Sequence, residues 1–185
     1  MTLDLKQKYL PDRELYKRRE DFAKATLALL GVEVIPVGAG TQTSEEIDGF
    51  HKNEEDRFDF KCEDLGISFE VTGTGWRRSE SAERFDPNWR EEGRRKASAK
   101  RAVQPVLKCK VDDAYALDIQ DQLYFVTVND GDGSWRFMPC NITRAFPIGF
   151  FASGERLFHM IPWDKWRTPA WMREHLAKLR KEVGK

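Results

Sequence analysis

The residues best suited to chemistry lie in FDFKCEDLGISFEVTGTGW, residues 58–76. Side-chain types alternate here as a half-buried hairpin requires. Phe58, Phe60, Cys62, Ile67, Phe69 and Val71 fall on one face; Asp59, Lys61, Ser68, Glu70 and Thr72 fall on the other. The turn is expected around Glu63-Asp64-Leu65-Gly66. With the loop centred on Asp64-Leu65, Asp59 stands opposite Glu70, their Cβ atoms about 5 Å apart. Two carboxylates that close repel unless a cation lies between them, and two acids around a hard divalent cation suit metal-assisted phosphodiester cleavage. With the loop centred on Leu65-Gly66, Glu70 faces Lys61 instead, and the pair is an ordinary exposed ion pair. One residue of register separates the two readings.

The elements that must position this hairpin follow from periodicity. Residues 12–30 predict a helix, with Asp12 at the N-cap and Tyr16, Ala23, Leu27 and Leu30 at helical spacing; Phe22 and Leu29 widen the stripe, and Gly31 stops it. GVEVIPVG follows as a short strand and GAGTQTSEE as a loop. Residues 88–103 read as a basic helix weakened by Gly93, 106–111 as a strand, and 111–121 as a helix capped by Asp112 or Asp113. LYFVTV (123–128) is a continuous apolar run, as in a strand covered on both faces, and WRFMPC returns from it as a second hairpin. The turn between them, Asn129-Asp130-Gly131-Asp132-Gly133, has the look of a calcium loop but lacks the downstream glutamate. A loop and short strand follow, then a helix opened by Pro169 with Trp171, Leu176, Leu179 and Val183 turned inward. Trp163, Trp166 and Trp171 read as a packing cluster, with base stacking as the other option. The order is mixed α/β. A single domain of 185 residues is expected, with 12–128 as its core and 129–185 packed on it as an extension.

Bulk properties narrow the class. A 40% hydrophobic content with twelve Phe and six Trp suits a packed globule. No apolar run approaches the ~20 residues of a membrane span, and the N-terminus has no apolar signal segment. Three unpaired cysteines, Cys62, Cys109 and Cys140, exclude a disulfide framework and point to buried reduced thiols and a cytoplasmic setting. His51, His159 and His175 share no ligand-like spacing. Charge sums to zero but is sorted along the chain. Residues 41–70 carry ten acids against three bases, residues 77–110 eleven bases against five acids, and 112–132 six aspartates and no base. An acidic hairpin followed by a basic segment suits a phosphate-binding enzyme with a metal site; mutual neutralisation of the two is the alternative.

Four stretches resemble the PD-(D/E)xK nuclease superfamily, and within it the small restriction-endonuclease-like and archaeal Holliday-junction-resolvase-like members. They are Glu20 in the first helix, the glycine-rich GAGT after the next strand, the aspartate of FDF, and the acid of FEVT in the partner strand. The likeness spans about residues 14–128. It implies a restriction-endonuclease-like mixed central sheet flanked by helices. It also implies a magnesium or manganese ion held by Asp59, Glu70 and the carbonyl of Val71, with Glu20 completing the acids through a water. Two residues after the second acid such proteins usually carry a lysine, and this chain has Thr72. A hydroxyl can hold a water but supplies no positive charge. Lys61 is the first substitute, sharing a face with Asp59; Lys108 and Lys110 are second choices, and Asp48 is an alternative to Asp59.

The function expected is a metal-dependent endonuclease acting on DNA, with a homodimer as one option and without a membrane partner. Arg77, Arg78, Arg94, Arg95, Lys96, Lys100, Arg101, Lys108 and Lys110 would hold the nucleic-acid backbone. The rivals are a catalytically inactive nucleic-acid-binding module of the same fold and a protein-interaction domain of a phage or toxin–immunity system.

Overall fold

The computed structural model describes residues 17, 19–37, 58–72, 103–128, 135–150 and 157–184. Two sheets and the helices on them share the apolar residues. The central sheet has the order β1-β2-β3-β5-β6, from β1 (Ile35–Pro36), β2 (Phe60–Cys62), β3 (Ile67–Thr72), β5 (Leu123–Val128) and β6 (Trp135–Pro139). β3 and β5 run parallel and every other pair is antiparallel, so the sheet is mixed. β4 (Val103–Leu107), β8 (Leu157–Pro162) and β7 (Ile148–Phe150) form a second, antiparallel sheet in the order β4-β8-β7. Helix α1 covers 19–29, α2 Lys108–Ala116, α3 Cys140–Thr143 and α4 Pro169–Glu182.

The period of two along the central strands divides the core into two layers. Phe60, Phe69, Tyr124, Val126 and Phe137 pack with Ala23 and Leu27 of α1 and Met172 and Leu176 of α4. On the other face Leu123, Phe125 and Met138 pack with Val106 of β4, Val111 and Ala114 of α2, Ile161 of β8, and Trp166. LYFVTV is therefore covered on both sides, as its composition requires. The second hairpin forms as expected, Phe125 opposite Met138. The chain after residue 128, read from sequence as an extension, supplies β6 to the central sheet and β7 and β8 to the second.

Several expectations change. The expected strand over 106–111 and helix over 111–121 shift toward the N-terminus: the strand is 103–107, and the helix starts at Lys108 and ends at Ala116. Phe22 and Leu29, expected in the packing stripe of α1, are 41% and 83% exposed, because Ala23, Leu27 and Leu30 define the buried face. Gly31 does end α1, at φ +71°. In α4, Thr168 caps the helix by accepting the Trp171 N–H, and Met172 takes an inward position while Val183 is exposed. The three C-terminal tryptophans do not form one cluster. Trp166 lies in the layer with Phe125, Trp171 packs against the opposite layer, and the guanidinium of Arg136 lies over Trp163. Cys62 and Cys140 are buried, but Cys109 is exposed on α2. Among the described residues, no helix is long and apolar enough to cross a membrane.

Candidate active site

The hairpin register decides which acids meet. Phe60 stands opposite Phe69, Lys61 opposite Ser68, and Cys62 opposite Ile67. One step further along the same register, Asp59 stands opposite Glu70. A short 3-10 turn over Glu63–Leu65, closed by Gly66 at φ +61°, fixes this pairing rather than the one that sets Glu70 against Lys61. Asp59 is held from both sides. Its carbonyl accepts the Val37 N–H at 3.1 Å and its Oδ2 accepts the Val71 N–H at 2.7 Å. The strand after Glu70 thus grips the acid opposite it.

The polar face of the hairpin is only partly open to solvent: Asp59, Lys61, Ser68 and Thr72 are half-buried. α2 and the second sheet cover part of it, and Glu70 is only 8% exposed. Phe58, expected on the face of Phe60, turns instead into the layer with Phe125 and lies beneath the Lys110 ammonium at 5.6 Å. Burial raises the pKa of Asp59, against the pull of the Val71 N–H and of Lys110. Burial also pushes Glu70 up to about 8, and the charges of Asp59 and Glu20 push the same way while Lys110 opposes them. Glu20 on α1 is therefore within electrostatic reach of the pair.

Lys110 supplies the positive charge. Its Nζ lies 3.1 Å from each carboxylate oxygen of Glu70. Burial works against its charge, but Glu70 and Asp59 outweigh burial and raise its pKa. This lysine, a second choice in the sequence and expected on a strand, projects from the first turn of α2 and reaches Glu70 from 40 residues away. Lys61 pairs across the hairpin with Ser68, two positions from Glu70, and its side chain makes no ion pair or hydrogen bond among the described residues. Lys108 bonds Asp112 one turn along α2, and Asp112 also takes Arg144 at 3.5 Å. Thr72 spends its hydroxyl on the Pro105 carbonyl at 3.2 Å, tying β3 to β4. Arg77, Arg78, Arg94, Arg95, Lys96, Lys100, Arg101, Asp48 and the GAGT loop lie outside the described residues.

Among the described residues, no group of three His, Cys, Asp or Glu side chains could hold a metal ion by itself. Asp59 and Glu70 offer only oxygen donors, in a place where burial disfavours their charge and the Lys110 ammonium lies against Glu70. That set suits magnesium, which takes one or two carboxylates and completes its shell with water and phosphate oxygens.

Comparison with known proteins gives a family. A search of curated proteins finds no match. Among solved structures the chain is similar to D212, a nuclease from a fusselovirus, at 18% identity and a TM-score of 0.46 over 98% of this chain and 96% of that one. The family model for Viral/Archaeal nucleases matches residues 4–146, which include the hairpin, α2 and the Lys110–Glu70 pair. The chain belongs to the Viral/Archaeal nuclease family.

Proposed function

We propose that this protein is a divalent-metal-dependent endonuclease of the PD-(D/E)xK type acting on DNA, with Asp59 and Glu70 as its metal-binding acids and Lys110 as the lysine that the hairpin lacks. One observation carries the proposal: Asp59 and Glu70 face each other across the hairpin, and an ammonium delivered by another element bonds both oxygens of Glu70. The charge usually placed two residues after the second acid arrives through space from α2. Thr72 is then free to serve the fold by joining β3 to Pro105.

The residues divide the work as follows. Asp59 and Glu70, with the Val71 carbonyl beside them, would hold magnesium or manganese, and Glu20 would add its charge through a water. A bound divalent ion would neutralise the acids and favour a nucleophilic water at neutral pH. Lys110 donates hydrogen bonds and offsets negative charge as it builds on the phosphate. The Val71 N–H orients Asp59 and favours its charged form against the effect of burial. The basic residues between 77 and 101 would grip the backbone without reading sequence, so binding should weaken steeply with salt.

Incubating plasmid, branched and single-stranded DNA with magnesium or manganese tests this. Cleavage that is lost in Asp59→Ala and Glu70→Ala is the expected result. Cleavage unaffected by both substitutions would refute the assignment, and retention of DNA without cutting under any metal condition would favour an inactive binding module.

A further inference from the structure

We infer that Lys110 is the resident counter-ion of the Asp59–Glu70 pair, that a divalent cation must displace it, and that the displaced ammonium then serves the phosphate, so metal and phosphate strengthen each other's binding. The inference rests on the pair being a metal site, as proposed above.

The geometry sets up a competition. Both oxygens of Glu70 are within 3.1 Å of Lys110 Nζ, and one oxygen of Asp59 already accepts the Val71 N–H. A cation ligated by Glu70 would therefore enter a place where an ammonium already bonds both available oxygens, and two positive centres that close repel strongly in a buried site. The Lys110 ammonium can move on its own side chain. Its charge sits on a flexible four-carbon stem that starts in the first turn of α2, and its side chain is 26% exposed. Driven from the carboxylate, an ammonium seeks another anionic oxygen, and the substrate phosphate provides one. Phosphate would draw Lys110 off Glu70 and so ease metal entry. By linkage the metal must then raise phosphate affinity by the same factor.

Two measurements test this on the full chain. The first is manganese affinity, by calorimetry, for the wild type and Lys110→Met. Removing the competing ammonium should tighten manganese binding about tenfold or more, even as cleavage is lost. The second measures manganese affinity of both proteins with and without thymidine 3′,5′-bisphosphate. The bisphosphate should tighten manganese several-fold in the wild type and clearly less in Lys110→Met, where only direct contact between metal and phosphate remains. Manganese binding that is unchanged or weaker in Lys110→Met overturns the inference while leaving the nuclease reading intact. If that variant does not fold, absence of coupling between manganese and the bisphosphate in the wild type overturns it instead. A wild type that binds no manganese overturns both.

Discussion

Replacing Glu70 with glutamine should make the metal-free protein more stable, and the gain should grow with pH. Glu70 is 8% exposed, and its pKa rises from the ordinary 4.5 to about 8. An acid whose folded pKa exceeds its unfolded one keeps its proton in the native state after the unfolded chain has released it. Its stabilising contribution is complete below about 4.5, declines as pH rises, and is gone above about 8. At about 1.36 kcal/mol per tenfold change in proton affinity, that gap corresponds to at most about 5 kcal/mol. The proton is shared within a coupled set with Asp59 and Lys110, so this figure is a ceiling for the site as a whole. Glutamine copies the protonated carboxyl and does not titrate. Urea unfolding in EDTA at pH 5, 7 and 9, followed by circular dichroism, reads the effect directly. The stability difference between Glu70→Gln and wild type should be smallest at pH 5 and increase by a few kcal/mol at pH 9. A difference independent of pH would mean that Glu70 is not held among desolvated acids, and the electrostatic account of the site would fail.

Other expectations are simpler. Thr72→Val removes the hydroxyl bond to the Pro105 carbonyl; it should cost about 1 kcal/mol in chemical denaturation and lower cleavage by less than roughly tenfold, because the needed charge comes from elsewhere. A loss as large as that of an acid substitution would return Thr72 to the chemistry. Phe125→Ala empties a fully buried position between the sheets and should destabilise by about 3–5 kcal/mol in the same assay; a cost under about 1 kcal/mol would contradict the two-layer core. Gly31→Ala places a side chain at φ +71° with its Cβ 3.3 Å from the Arg180 guanidinium, and should cost on the order of 1 kcal/mol in thermal unfolding. A neutral result there would argue against the left-handed end of α1.

The hairpin was legible in the sequence because alternation marks which side chains share a face, but its register stayed open between two loop centres, and Phe58 leaves the face that alternation gives it. The doubly covered strand over 123–128 was legible because its apolar run is continuous, with no face left polar. The start of α2 was not. Leu107 offers no side-chain acceptor for its first N–H groups, and VLKCKV carries enough apolar character to pass for a strand. That error left Lys110 a second choice, since a residue on a strand at 106–111 would not project as Lys110 does from the helix. No local signal links Lys110 to Glu70; packing across 40 residues makes the pair. Periodicity also gave α1 a wider apolar stripe than the fold buries, leaving Phe22 and Leu29 outside. The polar face looked fully solvated from its composition, and only contacts with α2 and β4 bury Glu70 and half-cover the rest.

Cleavage by single-lysine variants, with manganese binding recorded alongside, tests the central claim most directly. The account predicts that Lys110→Met still binds manganese but cuts DNA at least about a hundredfold more slowly, whereas Lys61→Met cuts within roughly threefold of wild type, as expected of an ordinary surface substitution. A Lys110→Met variant that binds manganese and cleaves like the wild type, or a Lys61→Met variant that takes the hundredfold loss instead, would contradict it.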